Sequence, residues 1–419
     1  MKPEITTLES GLRVVSYEMP SLQTAALGIF VKAGARNETA QQNGIAHLLE
    51  HMAFKGTRSR SAYQIAEEIE DVGGEINAST SMEMTAYYAR VLKDDVPLAV
   101  DILSDIILDP QFDPQELDRE RGVILQEIAA ANDTPDDLVF DLAQKAAYPE
   151  DPLGRPILGT ADAVRAYTGA EIAAYRDAHY GAPAMVVSAA GAVSHDQLVD
   201  LAAGALSDLS TENGPGWHDA GYSGGDLRAE KPLEQTHLVL SFTGPGYHHE
   251  DIYALQILGG VLGGGMSSRL FQEVREKRGL CYSIFAYASA YQDTGLLSVY
   301  AATGPELADE LVNVVGGELC NLADSISESE VKRARAQLKA GLMMSLESPS
   351  ARASQIARQL LLYGRLLEPD EIIAKVDAVD AEAVAKMAQR VFSGAKPAVG
   401  AVGDLSGLAS YDQIAAKFA

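Results

Sequence analysis

Cysteine, basic residues and long apolar runs are all scarce in this chain, and each scarcity removes a class of protein. Cys281 and Cys320, the only two cysteines in 419 residues, are too few for a disulfide framework and do not form a CxxC pair, so both read as reduced thiols. With 33 Lys and Arg against 59 Asp and Glu, the formal net charge is −26. A phosphate-binding surface needs clustered cations, so this balance argues against nucleic acid as a main partner; it suits basic peptides, or solubility alone. No run of about 18 uninterrupted apolar residues occurs, and no membrane-spanning helix is expected. The N-terminal stretch MKPEITTLESGLRVV has neither the apolar core of a signal peptide nor the Arg- and Ser-rich, acid-poor character of a transit peptide, and the expected location is the cytoplasm.

The remaining composition is ordinary for a globular protein, 47% hydrophobic and 22% charged, with length for two to three domains. Its most informative stretch is His47-Leu48-Leu49-Glu50-His51. Ile45, Leu48, Leu49 and Met52 recur at helical spacing and predict a helix whose apolar stripe faces a core. At about 100° per residue, His47 and His51 lie roughly 40° apart, with Glu50 roughly 60° to the other side of His47, so the three polar groups point together away from that stripe. Asn43-Gly44 supplies a start and Lys55-Gly56 a stop. Two histidines four apart with a carboxylate beside them suit a hydrolytic zinc site. A catalytic zinc takes three protein ligands, however, and two imidazoles leave one to find.

A second amphipathic segment, 113–133, reads DPQELDRERGVILQEIAAAND, with Leu117, Ile124 and Ile128 on its buried side. Glu120 and Glu127, seven residues apart, share one stripe and can address one site. On spacing alone a solvated pair of glutamates is the simpler reading. HLLEHMAFKGT followed by ERGVILQE, however, resembles the inverted-motif zinc peptidases, the family of pitrilysin, insulin-degrading enzyme and the mitochondrial processing peptidase. There the third ligand is a glutamate about 76 residues after the second histidine, and 127 minus 51 is 76 here. The resemblance therefore implies one Zn2+ per chain on His47, His51 and Glu127, with Glu50 as general base and Glu120 as a supporting glutamate that does not bind the metal.

The same resemblance extends to LGGGMSSRLFQEVREKRGLCYSI, where Arg275 and Tyr282 match an arginine and tyrosine that hold substrate and the developing oxyanion. Without it they read as a surface arginine and a half-buried strand tyrosine. In the family's long single-chain members this pair lies in the half opposite the zinc. A chain of this length contains one half, which implies a homodimer with Arg275 and Tyr282 contributed in trans. Asn77 and Ala78, in EINAST, match edge-strand positions where an extended peptide substrate pairs by β-augmentation.

Along the chain, segments 11–17 and 24–33 read as strands before the metal helix, and GEINASTSMEMTAYYARVL as two strands or a hairpin. Helices dominate 96–147. Residues 210–232, rich in Gly, Pro and small polar residues, read as a linker. Beyond it the order of elements repeats, but the helix matching HLLEH reads ALQILGGVL and carries no ligand. The expected fold is α+β: two similar domains, 1–209 with the metal and 233–419 without, each a mainly antiparallel sheet packed with helices and related by internal duplication. Gly263-Gly264-Gly265 lacks the lysine of a phosphate loop. His248-His249-Glu250-Asp251 reads as a helix cap, His179 as structural, and His195, His218 and His237 as histidines without organised partners.

The expected function is a zinc-dependent endopeptidase that hydrolyses unfolded peptides or precursor segments. A non-catalytic partner subunit of a processing-peptidase-like complex is the alternative. Such subunits typically lose motif residues, and here all four are present.

Overall fold

The computed structural model describes residues 2–419. Eleven strands form two sheets. The first contains β1 (Glu4–Thr7), β2 (Arg13–Glu18), β3 (Thr24–Val31), β4 (Glu75–Thr80), β5 (Thr85–Leu92) and β6 (Met185–Gly191), in the order β1-β2-β6-β3-β5-β4. The second contains β7 (Gly225–Glu230), β8 (Thr236–Gly244), β9 (Ser283–Ala290), β10 (Gly295–Thr303) and β11 (Ala398–Gly403), in the order β7-β11-β8-β10-β9. In each, one parallel pair (β2 with β6, β7 with β11) adjoins an otherwise antiparallel ladder. Apart from the extra β1, the two orders are the same topology written twice. Gly73 before β4 and Gly279 before β9 even share the left-handed conformation, at φ 68° and 62°. The α+β fold expected from the sequence, two repeats of a mainly antiparallel sheet packed with helices, is therefore present, and the single parallel pair makes each sheet mixed.

Compact packing does not follow a single cut in the chain. One unit comprises Met1–Ala129, Pro156–His218 and Met343–Leu366; the other comprises Ala130–Arg155, Asp219–Leu342 and Leu367–Ala419. Between β3 and β6 come α1 (Ile45–Ala53) and α2 (Ala62–Asp71), then β4 and β5, then α3 (Val96–Leu108) and α4 (Pro114–Asp133), whose last turn is counted with the second unit. The main core lies between the sheet and the helices that include α1 and α3. The opposite face of this sheet is covered by the helix Pro349–Tyr363, through Ile356, Ala357, Leu360 and Leu361 against Val15, Phe30 and Val186. In the second unit the corresponding cover is α5 (Pro135–Ala147), whose Val139 and Ala143 pack on Val239 and Val402. Each sheet is thus buried on both faces, which is why β3, β6, β10 and β11 read as nearly continuous apolar runs.

The stretch 210–232 is not all irregular, because Gly225–Glu230 within it form β7. The sequence GDLRAE has no apolar alternation, and its side chains are mostly half-buried, so the usual strand signal is missing. Two histidines expected to lack organised partners have them. His195 makes hydrogen bonds of 2.9 Å to both Thr6 Oγ1 and Ser16 Oγ, and His237 one of 3.0 Å to Tyr300 OH.

The edge strand β4 pairs only with β5, leaving its other side open. The turn joining them is pinned by Arg36, 1% exposed, whose backbone N–H donates to Met82 O at 2.7 Å and whose guanidinium meets Glu83 at 2.6 Å. The start of α1 depends on a close approach. Gly44 has φ 93°, and a Cβ there would sit 2.7 Å from Gly159 Cα and 2.8 Å from Leu158 O. A Gly44→Ala substitution should therefore lower stability by at least ~1 kcal/mol, from left-handed strain plus the clash. Urea denaturation midpoints of the two proteins measure it.

Candidate metal centre

Helix α1 buries Ile45, Ala46, Leu48, Leu49, Met52 and Ala53, and leaves His47, Glu50 and His51 half-buried on the other side, as the apolar spacing requires. Its N-terminus is held by the buried Glu38, whose carboxylate accepts from the backbone N–H of Gly44 and of Ala46, each at 2.9 Å. A carboxylate there satisfies two orphan donors and complements the helix dipole. Glu38 is the capping group that the sequence reading placed at Asn43-Gly44; Asn43 instead donates to Glu38 at 3.2 Å.

Helix α4 faces α1 with the stripe that carries Glu120 and Glu127, while Leu117 and Ile124 are buried. The Oε2 of Glu127 lies 3.8 Å from His47 Nε2 and 3.6 Å from His51 Nε2, and the three residues each offer a ligand atom within 4.8 Å of one another. A tetrahedral zinc with bonds of about 2.0–2.1 Å sets its ligand atoms roughly 3.3 Å apart, so small side-chain shifts close the set around an ion. Two features fit a metal better than a packed trio. Glu127 Oε2 is buried without a hydrogen bond, and an oxygen aimed at two imidazole nitrogens without bonding either suits a cation between them. The donor set, two imidazole nitrogens and a carboxylate oxygen, is also one that zinc accepts.

The other residues support this trio. His51 Nδ1 donates to Glu120 Oε2 at 2.9 Å. A carboxylate only accepts, so a proton sits on Nδ1, which in the neutral tautomer leaves Nε2 as the ligating nitrogen. Glu120 is 5% exposed, and its other oxygen meets Lys55 Nζ at 2.8 Å. Burial, together with neighbouring His51, lowers the His47 pKa to about 4, so near neutrality this imidazole is unprotonated and able to ligate. Burial pushes the Glu50 carboxyl up, against the pull of the Thr80 hydroxyl, which donates to its Oε2 at 2.5 Å, and of His51. Beyond Glu50, the buried hydroxyls of Tyr87 and Tyr180 lie 3.1 Å apart, and the Glu50 charge helps to raise both pKa values, secondary to burial.

Asn77 and Ala78 lie on β4, opposite Tyr88 and Tyr87 of β5. The Ala78 N–H donates to the Asn77 side chain at 2.8 Å. Thr80, on the same strand, is the residue that bonds Glu50, so edge strand and α1 are joined directly. Arg275 and Tyr282 belong to the second unit. Arg275 lies on a six-residue segment, Phe271–Glu276, wound as a π-helix, with Lys277 N–H bonding back to Gln272 O at 3.0 Å. Its guanidinium carbon is 4.6 Å from the Phe271 ring centre and 4.5 Å from that of Tyr282. Tyr282 is 76% exposed rather than half-buried.

Thr80, Lys55, Tyr87 and Tyr180 were not singled out as site residues by the sequence. Lys55 and Thr80 had signals in hindsight, the first one helical turn after His51 and the second three residues after Asn77 on one β-strand. His248 and His249 hold no metal cluster; His249 sits beside Asp251 at 3.6 Å and Arg390 at 3.3 Å. The His47, His51 and Glu127 group is the only cluster of this kind among the described residues.

The low His47 pKa has a consequence for the metal-free protein. His179, buried and 4.4 Å from the Tyr175 ring, is likewise lowered to about 4, by burial. Between the unfolded value of about 6.5 and the folded value, the unfolded chain binds more protons, so stability is full above pH ~6.5 and falls as pH drops toward 4. Each residue accounts for up to about 3 kcal/mol of that loss by this linkage. Denaturant midpoints of metal-free wild type, His47→Asn and His179→Asn at neutral and acid pH test this, and each variant should show a smaller drop than wild type.

The profile described as insulinase, peptidase family M16, matches residues 13–161, and the one described as the peptidase M16 inactive domain matches residues 166–338. The chain is 39% identical to a protein named "uncharacterized zinc protease" from Rickettsia felis, over 93% of this chain and 95% of that one. Identity is also 39% to a zinc protease of that description from Bacillus subtilis, over 92% and 95% of the two chains. Among solved structures, a protease from Helicobacter pylori superposes with a TM-score of 0.89 at 23% identity, covering 96% of this chain and 99% of that one. A chain from complex III2 of Candida albicans does so with 0.87 at 22%, covering 99% of each. At these identities the structural matches speak for the fold alone. The full-length relatives and the two profiles together show that the chain belongs to the insulinase family, peptidase family M16.

Proposed function

We propose that this chain is a zinc-dependent endopeptidase that hydrolyses extended segments of unfolded peptides, holding one zinc ion on His47, His51 and Glu127. The observation that carries the proposal is the convergence of three ligand atoms, one of them a buried carboxylate oxygen without a hydrogen bond, next to a half-buried glutamate that is not needed as a ligand. The zinc-protease names of the full-length relatives agree with it. Zinc bound there supplies Lewis acidity, lowering the pKa of water and polarising a carbonyl oxygen.

The chain's own groups supply the rest. Glu50, whose pKa burial raises above the ordinary carboxylate value, takes the proton of the attacking water and returns it to the leaving amine. Thr80 holds one Glu50 oxygen and leaves the other for that transfer. Glu120 fixes the His51 ring through Nδ1. The open side of β4 suits pairing with an extended peptide, and a strand that takes the Ala78 N–H displaces the Asn77 side chain that now holds it. Arg275, stacked between Phe271 and Tyr282 and in a long ion pair with Glu276, Nε to Oε1 3.8 Å, has terminal guanidinium N–H groups to donate to an oxyanion or a substrate carbonyl. We assign Arg275 and Tyr282 to the zinc site of a second copy, so that the active unit is a homodimer. The retention of His47, Glu50, His51 and Glu127 favours an enzyme over a non-catalytic partner subunit.

Glu50→Gln should retain stoichiometric zinc and lose about 10²- to 10⁴-fold in kcat on an unstructured peptide, the contribution of a positioned proton-transfer group. Wild-type turnover in that variant rules Glu50 out as the base. Chelation should abolish cleavage and added zinc restore it. Mixing Glu50→Gln subunits with Arg275→Ala/Tyr282→Phe subunits should recover part of the activity. Verified heterodimers that stay inactive contradict the contribution in trans.

A further inference from the structure

Lys55 touches neither a proposed ligand nor the base, yet it closes a chain of contacts that begins at the metal site. Glu120 is 5% exposed, and its two carboxylate oxygens are divided between two partners: Oε2 accepts from His51 Nδ1 at 2.9 Å and Oε1 from Lys55 Nζ at 2.8 Å. Lys55 follows α1 by two residues, its backbone N–H bonding to Met52 O at 3.1 Å, which places its side chain one turn beyond His51 and over α4. Its side chain is 31% exposed, so the stem is largely covered while the ammonium reaches a buried carboxylate.

A carboxylate held at one oxygen can turn about its Cγ–Cδ bond. One held at both has its plane fixed, and the direction in which it accepts from an imidazole is fixed with it. A buried carboxylate without a countercharge is also expensive, which gives the ammonium a second reason to be there. We propose that Lys55 is a positioning residue of the zinc site: its ammonium locks the Glu120 carboxylate in the plane that receives His51 Nδ1–H, and so aims the His51 Nε2 lone pair at the metal. The inference rests on His47, His51 and Glu127 being the ligands. It adds a third link to the usual two of ligand and carboxylate, and it makes the end of α1 part of the metal site rather than a plain helix stop.

The test is zinc affinity of the full-length, metal-stripped protein, titrated with zinc against a chromophoric chelator, with the visible absorption of the cobalt-loaded protein as a second readout. Lys55→Met should weaken zinc binding about 10-fold, the lower end for losing an outer partner of a ligand, and should shift the cobalt bands. Lys55→Arg should restore most of the affinity. In a Glu120→Gln background Lys55→Met should add little, because the two act through one contact. Lys55→Met also strips a buried carboxylate of its countercharge and should lower the unfolding midpoint of the metal-free protein, so zinc is titrated where circular dichroism shows each variant fully folded, and Lys55→Gln serves as a second replacement. Wild-type zinc affinity in both Lys55→Met and Lys55→Gln overturns the inference, as does full additivity with Glu120→Gln, or weakened binding that merely tracks lost stability. His47→Ala distinguishes the two levels. If it binds zinc like wild type, the ligand assignment fails and takes this inference with it; if it loses zinc while the Lys55 variants do not, only the role of Lys55 falls.

Discussion

The packing of one side of a nine-residue helix governs the rest of the site. Ile45, Leu48, Leu49 and Met52 are at most 1% exposed, so α1 can neither rotate nor slide without opening a core in which each lost side chain costs about 2–5 kcal/mol. Once that face is committed, His47, Glu50 and His51 must sit on the opposite side, beside α4 and the end of β4. The capping carboxylate of Glu38 fixes the axial position of the helix in the same way. The polar groups are preorganised by apolar packing, which is the arrangement a metal site needs if ligands are to wait for an ion in nearly the right place.

The two sheets repeat one topology, yet the His47, His51 and Glu127 cluster has no second copy among the described residues. The helix of the second unit that occupies the place of α1, Ile252–Gly263, buries Ile252, Leu255, Ile257, Leu258, Val261 and Leu262 and carries no histidine or carboxylate. Backbone geometry is therefore shared and chemistry is not, a direct instance of function residing in side chains placed on a fold. The second unit instead carries a π-wound segment that presents Arg275 between two aromatic rings, and such segments are frequent where a helix serves function at some cost in regularity.

Much of this was legible in the sequence. The apolar period of residues 45–52 gave the helix and the side its polar groups occupy, and the seven-residue spacing of Glu120 and Glu127 gave a shared stripe. Choosing Glu127 rather than Glu120 as ligand required the family resemblance, because spacing cannot say which of two glutamates reaches farther. What stayed hidden depends on contacts between distant segments. Thr80 meets Glu50 and Lys55 meets Glu120 only once β4 and α4 are docked beside α1. An amphipathic pattern shows that α5 and the helix 349–363 have apolar faces but not which sheet each covers, and in both cases it is not the sheet nearest in sequence before it. The strand β7 is not legible in the sequence, because GDLRAE carries no alternation and is defined by its parallel pairing with β11.

The central claim is that zinc is held by two imidazoles and a carboxylate of this chain. X-ray absorption at the zinc edge of the zinc-loaded protein tests it most directly. The account predicts a shell of nitrogen and oxygen only, at about 2.0–2.2 Å, with the outer scattering of two imidazoles. A sulfur contribution near 2.3 Å, placing the ion on Cys281 or Cys320, or the outer scattering of fewer than two imidazoles, would contradict it.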